Sequence, residues 1–473
     1  LFILLILGLC LAVATGAEYL YLWWQERGQG QERNLSYPSG DASSAEALQP
    51  LAAVYRNRVD PIQAEAIELA DLVLQEWPEE VPAIFVRGLI LNKFLSRDLG
   101  VACWQECVRR APEFAEPYYL LGVDRAKRGQ YLEGVNFLRR AVELGVPLLD
   151  ARVVLAEALI NLGQFAEAAD VLREQVARYP RHPGSHFYLA HALERLGNWE
   201  EAEKHYREVV RLQESNYQAW LGLGRIAQRL GRREEAEKYF ALARQFQAAF
   251  HAGHQEARRR YDDKESLRTS LATAYTDVGR LYVSHARAAE AVKMWRRAAE
   301  VDPDHLECRL LLADYYAMER NWKEAVAVLE ELCRLEPANV RHRVNAGVAC
   351  MAAGDYQEAR RHFAQAIQAN PQRPEAYVGL IELAVVTGEN LTEAAALAEK
   401  LVRLDPDAEH YYLLARVRWT NGQTSEARAA AERAVELDPG NTRYRDFLAR
   451  LEASLQAGTE SPPPGGPEQS NPK

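Results

Sequence analysis

The chain has 473 residues, 48% of them apolar and 26% charged, with a formal net charge of −10. That balance excludes the basic face on which non-specific nucleic-acid binding depends, because such binding works by displacing counterions from phosphates. Six Cys in this length exclude a disulfide scaffold; nine Lys against 48 Arg, with heavy Ala use, fit a GC-rich bacterial genome.

In chain order, residues 1–17 carry no charge and are followed, after Glu18, by Tyr19-Leu20-Tyr21-Leu22-Trp23-Trp24. About 24 such residues suffice to cross a hydrocarbon core of about 30 Å, and Tyr and Trp favour the membrane interface. The segment 1–24 is therefore expected to be a single-pass transmembrane anchor that places the rest of the chain outside the cytoplasm, in a periplasm. The competing reading is a signal peptide cleaved after Ala14 or Ala17. Lipidation at Cys10 is disfavoured by the Leu that precedes it. Residues 25–46, rich in Gly, Ser and polar side chains, read as a linker.

From residue 47 a period of thirty-four dominates. Blocks open at Ala47, Val81, Ala115, Leu149, Pro183 and Tyr217, and again at Ala272, Leu306, Val340, Pro374 and about Glu409, making eleven with the first degenerate. In the block at Tyr217 the pattern is Trp220, Leu223, Gly224, Ala227, Gly231, Ala236, Phe240 and Ala243. The seventh and eleventh positions are mostly apolar and one turn apart, which predicts one buried helix stripe. The eighth position (Gly88, Gly122, Ala156, Ala190, Gly224, Gly279, Ala313, Gly347) and the twentieth (Gly100, Gly134, Ala168, Ala202, Ala236, Ala291, Ala325, Ala359) are small. Small residues on facing helices let two backbones approach closely. Gly near the fifteenth position ends the first helix, and Pro at the thirty-second (Pro78, Pro112, Pro180, Pro303, Pro337, Pro371) ends the second. Each block is thus predicted to be two antiparallel helices. The resulting divisions are a first run over 47–250, a helical insert over 251–271, a second run over 272–441, an amphipathic cap over 442–457 and a Pro/Gly-rich tail over 458–473.

This pattern closely resembles the tetratricopeptide-repeat (TPR) family, W-x2-L-G-x2-Y…A-x3-F…P at the same period. The resemblance covers residues 47 to about 457 and implies an all-α, right-handed superhelical solenoid of about eleven helix-turn-helix repeats with a C-terminal capping helix. Departures lie at the edges: the first block contains Pro50 and Asn57, and Ile381 and Arg416 stand where a small residue is expected. The family implies binding of other proteins, as an extended peptide or helix in a concave groove lined by the first helix of each block. Carried over position by position, the groove residues are Tyr119, Val123, Glu157, Phe187, Tyr188, His191, Leu221 and Arg225 in the first run. In the second they are Asp277, Arg280, Asp314, Asn345 and Glu382. Phe187 and Tyr188 offer aromatic anchors, and Arg225 and Arg280 offer forks for carboxylates. The Lys/Asn carboxylate clamp of chaperone-tail receptors is absent: the matching pairs are Tyr119 with Val123, Val153 with Glu157, and Phe187 with His191.

No catalytic residue, cofactor or metal site is expected. The sequence has no glycine-rich phosphate loop, G-x-S-x-G elbow, H-E-x-x-H or C-x-x-C-H motif. Cys103 and Cys107, four apart, lack partners for a tetrahedral site and read as core; His251 and His254 lack a third ligand. The expected function is a membrane-anchored scaffold assembling a bacterial envelope complex. The alternatives are a soluble adaptor released by signal cleavage, or a non-catalytic subunit of an enzyme complex for cytochrome maturation or polysaccharide export.

Overall fold

The computed structural model describes residues 44–260 and 263–456, all of whose regular elements are helices. The segment 1–24, nearly all of the linker 25–46, and the tail 458–473 lie outside the described residues, as does the side chain of His254. The membrane location expected from the N-terminal stretch is corrected: no described helix is long and apolar enough to cross a membrane. The two longest, Arg233–Arg260 and Asp263–Ser284, carry charged side chains, which are costly to place in hydrocarbon.

The described residues divide into two compact units, 44–291 and 292–456. Within each, helices succeed one another in pairs that follow the thirty-four-residue period. In the first unit the pairs include Val81–Phe94 with Arg97–Arg110, Ala115–Lys127 with Tyr131–Glu143, and Pro183–Leu196 with Trp199–Leu212. The small eighth residue has the role expected of it. A Cβ added to Gly122 would lie 2.6 Å from Leu138 of the paired helix, and one added to Gly224 would lie 2.5 Å from Phe240. The turn between paired helices uses the left-handed region, as at Gly197 (φ 82). Ala286 and Arg320 hold the same fifteenth position with φ of 57 and 59, a conformation in which a Cβ costs about 1–2 kcal/mol.

The first block departs from the others. Its first helix shrinks to Ala52–Tyr55, while its second, Pro61–Glu76, is full length and starts at an Asp60/Gln63 capping box. The helix Asp263–Ser284 packs against both Pro61–Glu76 and Val81–Phe94. It occupies the kind of place that a first helix of residues 47–60 would have filled. Trp77, at the end of Pro61–Glu76, meets Tyr282 edge-on at 4.8 Å and stacks on His285 at 4.9 Å. Tyr275 donates to Glu65 at 2.8 Å, His285 pairs with Glu80 at 2.7 Å, and Arg287 pairs with Glu76 at 2.5 Å. Residues 251–271 thus enter the long helices on either side of 261–262.

Arg87 is fully buried at the same end of the unit. Its guanidinium donates to the carbonyls of Ala47, Ala70 and Gln49 and to Asp71, whose carboxylate also accepts from the amides of Leu51 and Ala52. This ties the short segment before Pro61–Glu76 to the first complete repeat.

The second unit closes with Thr442–Gln456, which buries Tyr444, Phe447 and Leu451 next to the helix Thr424–Leu437. A repeat array needs such an end because the last apolar face would otherwise meet water. Arg416, in place of a small eighth residue, points to Glu382 at 2.5 Å, its guanidinium 5.7 Å from the Tyr412 ring.

The helices Pro183–Leu196 and Trp199–Leu212 are joined by a pair of imidazoles. His186 Nε2 lies 3.0 Å from the Pro180 carbonyl and so carries a proton; its Nδ1 then accepts from His205 Nδ1 at 2.9 Å. Burial, and then the His186 ring, lower the pKa of His205, against the charges of Glu201 and Glu208 and with that of Arg173. A depressed histidine pKa means that the unfolded chain takes up protons first. Stability is then complete above the unfolded value of about 6.5 and is lost as pH falls through the folded value. Denaturant midpoints measured from pH 7.5 to 5.5 are expected to fall, and His205→Gln to flatten that slope. An unchanged slope in the variant would assign the titration elsewhere.

Candidate functional site

The first helices of three successive blocks, Ala151–Asn161, Pro183–Leu196 and Tyr217–Arg229, bring most of the first-run candidates onto neighbouring stripes. Glu157, His191 and Arg225 are thirty-four apart and occupy the same position in each helix. Glu157 is exposed, and burial together with the nearby Glu157 charge raises the pKa of the Tyr188 phenol on the next helix. Phe187 meets Tyr188 edge-on at 5.3 Å and lies 6.5 Å from His191. Burial lowers the His191 pKa, helped by Arg225 and Arg195 and opposed by Glu194. Leu221 is half-buried on the next stripe.

Arg225 is already engaged. Its fork grips Glu194 through bonds of 2.6 and 2.7 Å, and Glu194 also accepts from Tyr206 at 2.9 Å. Burial opposes ionisation of Glu194, but Arg225 outweighs it and holds the carboxyl below the usual range. Tyr119 and Val123 are buried in the apolar core instead of lying on the open face.

Beside this pair lies an open cavity of about 630 Å³ lined by Glu194, Arg195, Trp199, Arg225, Gln228 and Arg229. The Arg195 guanidinium covers the Phe165 ring at 4.4 Å, and that of Arg229 covers Trp199 at 5.5 Å. Both side chains are exposed, so each guanidinium over its ring keeps N–H groups open to an acceptor. No ion pair of Arg195 or Arg229 is found among the described residues. These Arg residues and Trp199 were not singled out from sequence. The available signal was the double recurrence at thirty-four, Phe165 to Trp199 and Arg195 to Arg229.

The remaining candidates are dispersed. Arg280 pairs with Asp277 on its own helix at 2.9 Å. Asp314 and Asn345 line a small apolar recess with Ala313, Ala317, Trp322 and Val348, where burial raises the Asp314 carboxyl to about 6. Glu382 is held by Arg416. Burial pushes the Cys103 thiol up to about 12 and that of Cys107 well up as well, so both are protonated side chains of the interior.

Two family profiles, each described as tetratricopeptide repeat, match the chain, one over residues 187–250 and 277–340 and the other over 351–417 and 388–451. These matches fall on successive helices of both units. The chain belongs to the tetratricopeptide-repeat family. Its members are generally non-catalytic scaffolds for protein–protein interaction. A profile described as anaphase-promoting complex, cyclosome, subunit 3 also matches this TPR chain, over 150–209. The U-box domain-containing protein 70 of Oryza sativa subsp. japonica is 28% identical over 176 residues, 36% of this chain. The chain spans only 22% of that relative's length. Among solved structures, YrrB, described as a TPR protein with an unusual peptide-binding site, is 19% identical; it covers 39% of this chain and 97% of its own, with a TM-score of 0.35. Yeast Tom70 is 14% identical over 80% of this chain and 97% of its own, with a TM-score of 0.32.

Proposed function

We propose that the chain is a scaffold without chemistry of its own, which grips an extended acidic segment of a partner protein across the first helices of residues 151–229. The observation that carries this reading is the cavity where Arg195, Arg225 and Arg229 converge beside Trp199. Arg195 and Arg229 take partner carboxylates on their open edges. Arg225, locked to Glu194, keeps the wall rigid, so less ordering entropy is lost on binding. Phe187, Tyr188 and Leu221 supply the neighbouring apolar contact, and Glu157 and His191 bound it. The second-run candidates Asp277, Arg280, Asp314, Asn345 and Glu382 play no part in this grip, because they are paired or recessed where they stand.

A displayed library of random peptides tests this. Binders are expected to be enriched in Asp and Glu next to an aromatic or aliphatic residue. Affinity for a selected peptide is expected to fall by about tenfold or more in Arg195→Glu/Arg229→Glu, as removal of about 1.4 kcal/mol of rim attraction requires. Binding without acidic bias, or binding indifferent to the double reversal, would sink the reading.

A further inference from the structure

The second unit contains a cluster that the peptide-binding face does not use. Glu330 lies on Trp322–Leu335 and Glu358 and His362 on Tyr356–Ala369, the second helices of successive repeats. Glu358 and His362 are four apart and so share one helix face. One ligand atom from each of the three side chains lies within 4.8 Å of the others, and His362 Nε2 is 3.8 Å from Glu330 Oε1. Three donors about 2.1 Å from a tetrahedral ion stand about 3.4 Å apart. Small rotations of the two carboxylates therefore bring the cluster to that spacing.

The second observation is His362 itself. Its side chain is only 4% exposed, and neither ring nitrogen has a hydrogen-bond partner. A buried polar atom without a partner costs roughly 1–3 kcal/mol, and such atoms in folded proteins point to an ion or water. His362 Nε2 faces the carboxylates at a distance too long for a hydrogen bond and suited to an ion between them.

The cluster already holds a cation. Arg361 Nε donates to Glu358 at 2.6 Å, and its Nη2 lies 3.5 Å from Glu330. This side chain is half-exposed, so it can turn into water when a more compact charge takes its place. In the meantime it holds the two carboxylates near each other.

We propose that Glu330, Glu358 and His362 form a binding site for a divalent transition-metal ion of the Zn²⁺ class, which pins the second helices of two successive repeats together. One imidazole nitrogen and two carboxylates match that class, whereas Mg²⁺ and Ca²⁺ prefer oxygen donors alone. Water completes the coordination, since Glu330 is on the exposed side.

The test is titration of the chelator-treated full chain with Zn²⁺, read by competition with a chromophoric chelator and by the thermal midpoint. Expected are a site of one equivalent, a rise in midpoint on loading, and a fall in affinity of about tenfold or more in Glu330→Gln and in His362→Gln. Arg361→Gln, which removes the competing cation, is expected to raise affinity. Glu330 is half-exposed, so Glu330→Gln folds as the parent does, checked by circular dichroism without metal. Absence of Zn²⁺ binding, or the same stoichiometry and affinity in Glu330→Gln, overturns the proposal. So does an affinity for Mg²⁺ or Ca²⁺ equal to that for Zn²⁺.

Discussion

Arg87→Met is expected to destabilise the N-terminal repeats by about 3–5 kcal/mol, the usual cost of removing one partner from a buried ion pair. The loss comes from what remains. Asp71 would be left facing Leu51 and Ala52 without its cation, and the carbonyls of Ala47, Ala70 and Gln49 would lose their donor. A Met keeps the unbranched apolar stem of the side chain but ends short of the guanidinium and offers no N–H. Because a repeat array is a chain of nearest-neighbour units, the effect is local. It is read best as hydrogen exchange of amides in Pro61–Glu76 and Val81–Phe94, compared with Thr424–Leu437 as the unaffected reference. Asp71→Asn, which keeps an acceptor, is expected to cost less. A loss below about 1 kcal/mol in Arg87→Met would mean that water satisfies these groups and that the pair is not the lock described here.

Phe363→Ala is expected to cost a further unit of the array about 3–5 kcal/mol. The ring is fully buried between two glycines from different helices. A Cβ added to Gly347 would lie 2.6 Å from it, and one added to Gly379 would lie 2.3 Å from it. The glycines let the backbones close around an aromatic ring, so the cavity left by Phe363→Ala has rigid walls that collapse poorly. Gly379→Ala is expected to cost about 1–3 kcal/mol by overpacking. The two changes touch the same space, so the double variant is expected to be less destabilised than the sum of the singles, because the new methyl enters the vacated volume. Denaturant unfolding of the four proteins closes this cycle. Strict additivity would show that ring and glycines are not in contact.

Much of this was legible in the sequence for local reasons. Helix ends at Glu76, Arg110, Arg178 and Ala369 fall just before the prolines or their turns, because proline lacks a donor wherever it stands. The small eighth residue was readable because its partner is the next helix of the same block, about sixteen residues on: Gly122 meets Leu138, and Gly224 meets Phe240. Individual groove residues were less legible. Position within the repeat placed Phe187, Tyr188 and His191 together, but it could not show that Arg225 is bound to Glu194, since that choice depends on which rotamers neighbouring repeats allow. The membrane expectation rested on the segment 1–24, whereas the described helices bury their apolar faces against neighbouring helices.

The sequence by itself determined the repeat period, the paired helices, their stops and the family, because each is written in contacts no farther apart than neighbouring blocks. Only the tertiary structure decided what completes the degenerate first repeat. Tyr275 reaches Glu65, and Tyr282 reaches Trp77, across some two hundred residues of chain. Periodicity carries no information at that separation. The same holds for Arg87, whose charge reads as surface until the carbonyls of Ala47 and Gln49 are brought onto its guanidinium. It holds for His362 too, since only the packing of successive repeats reveals that its ring nitrogens are buried without partners.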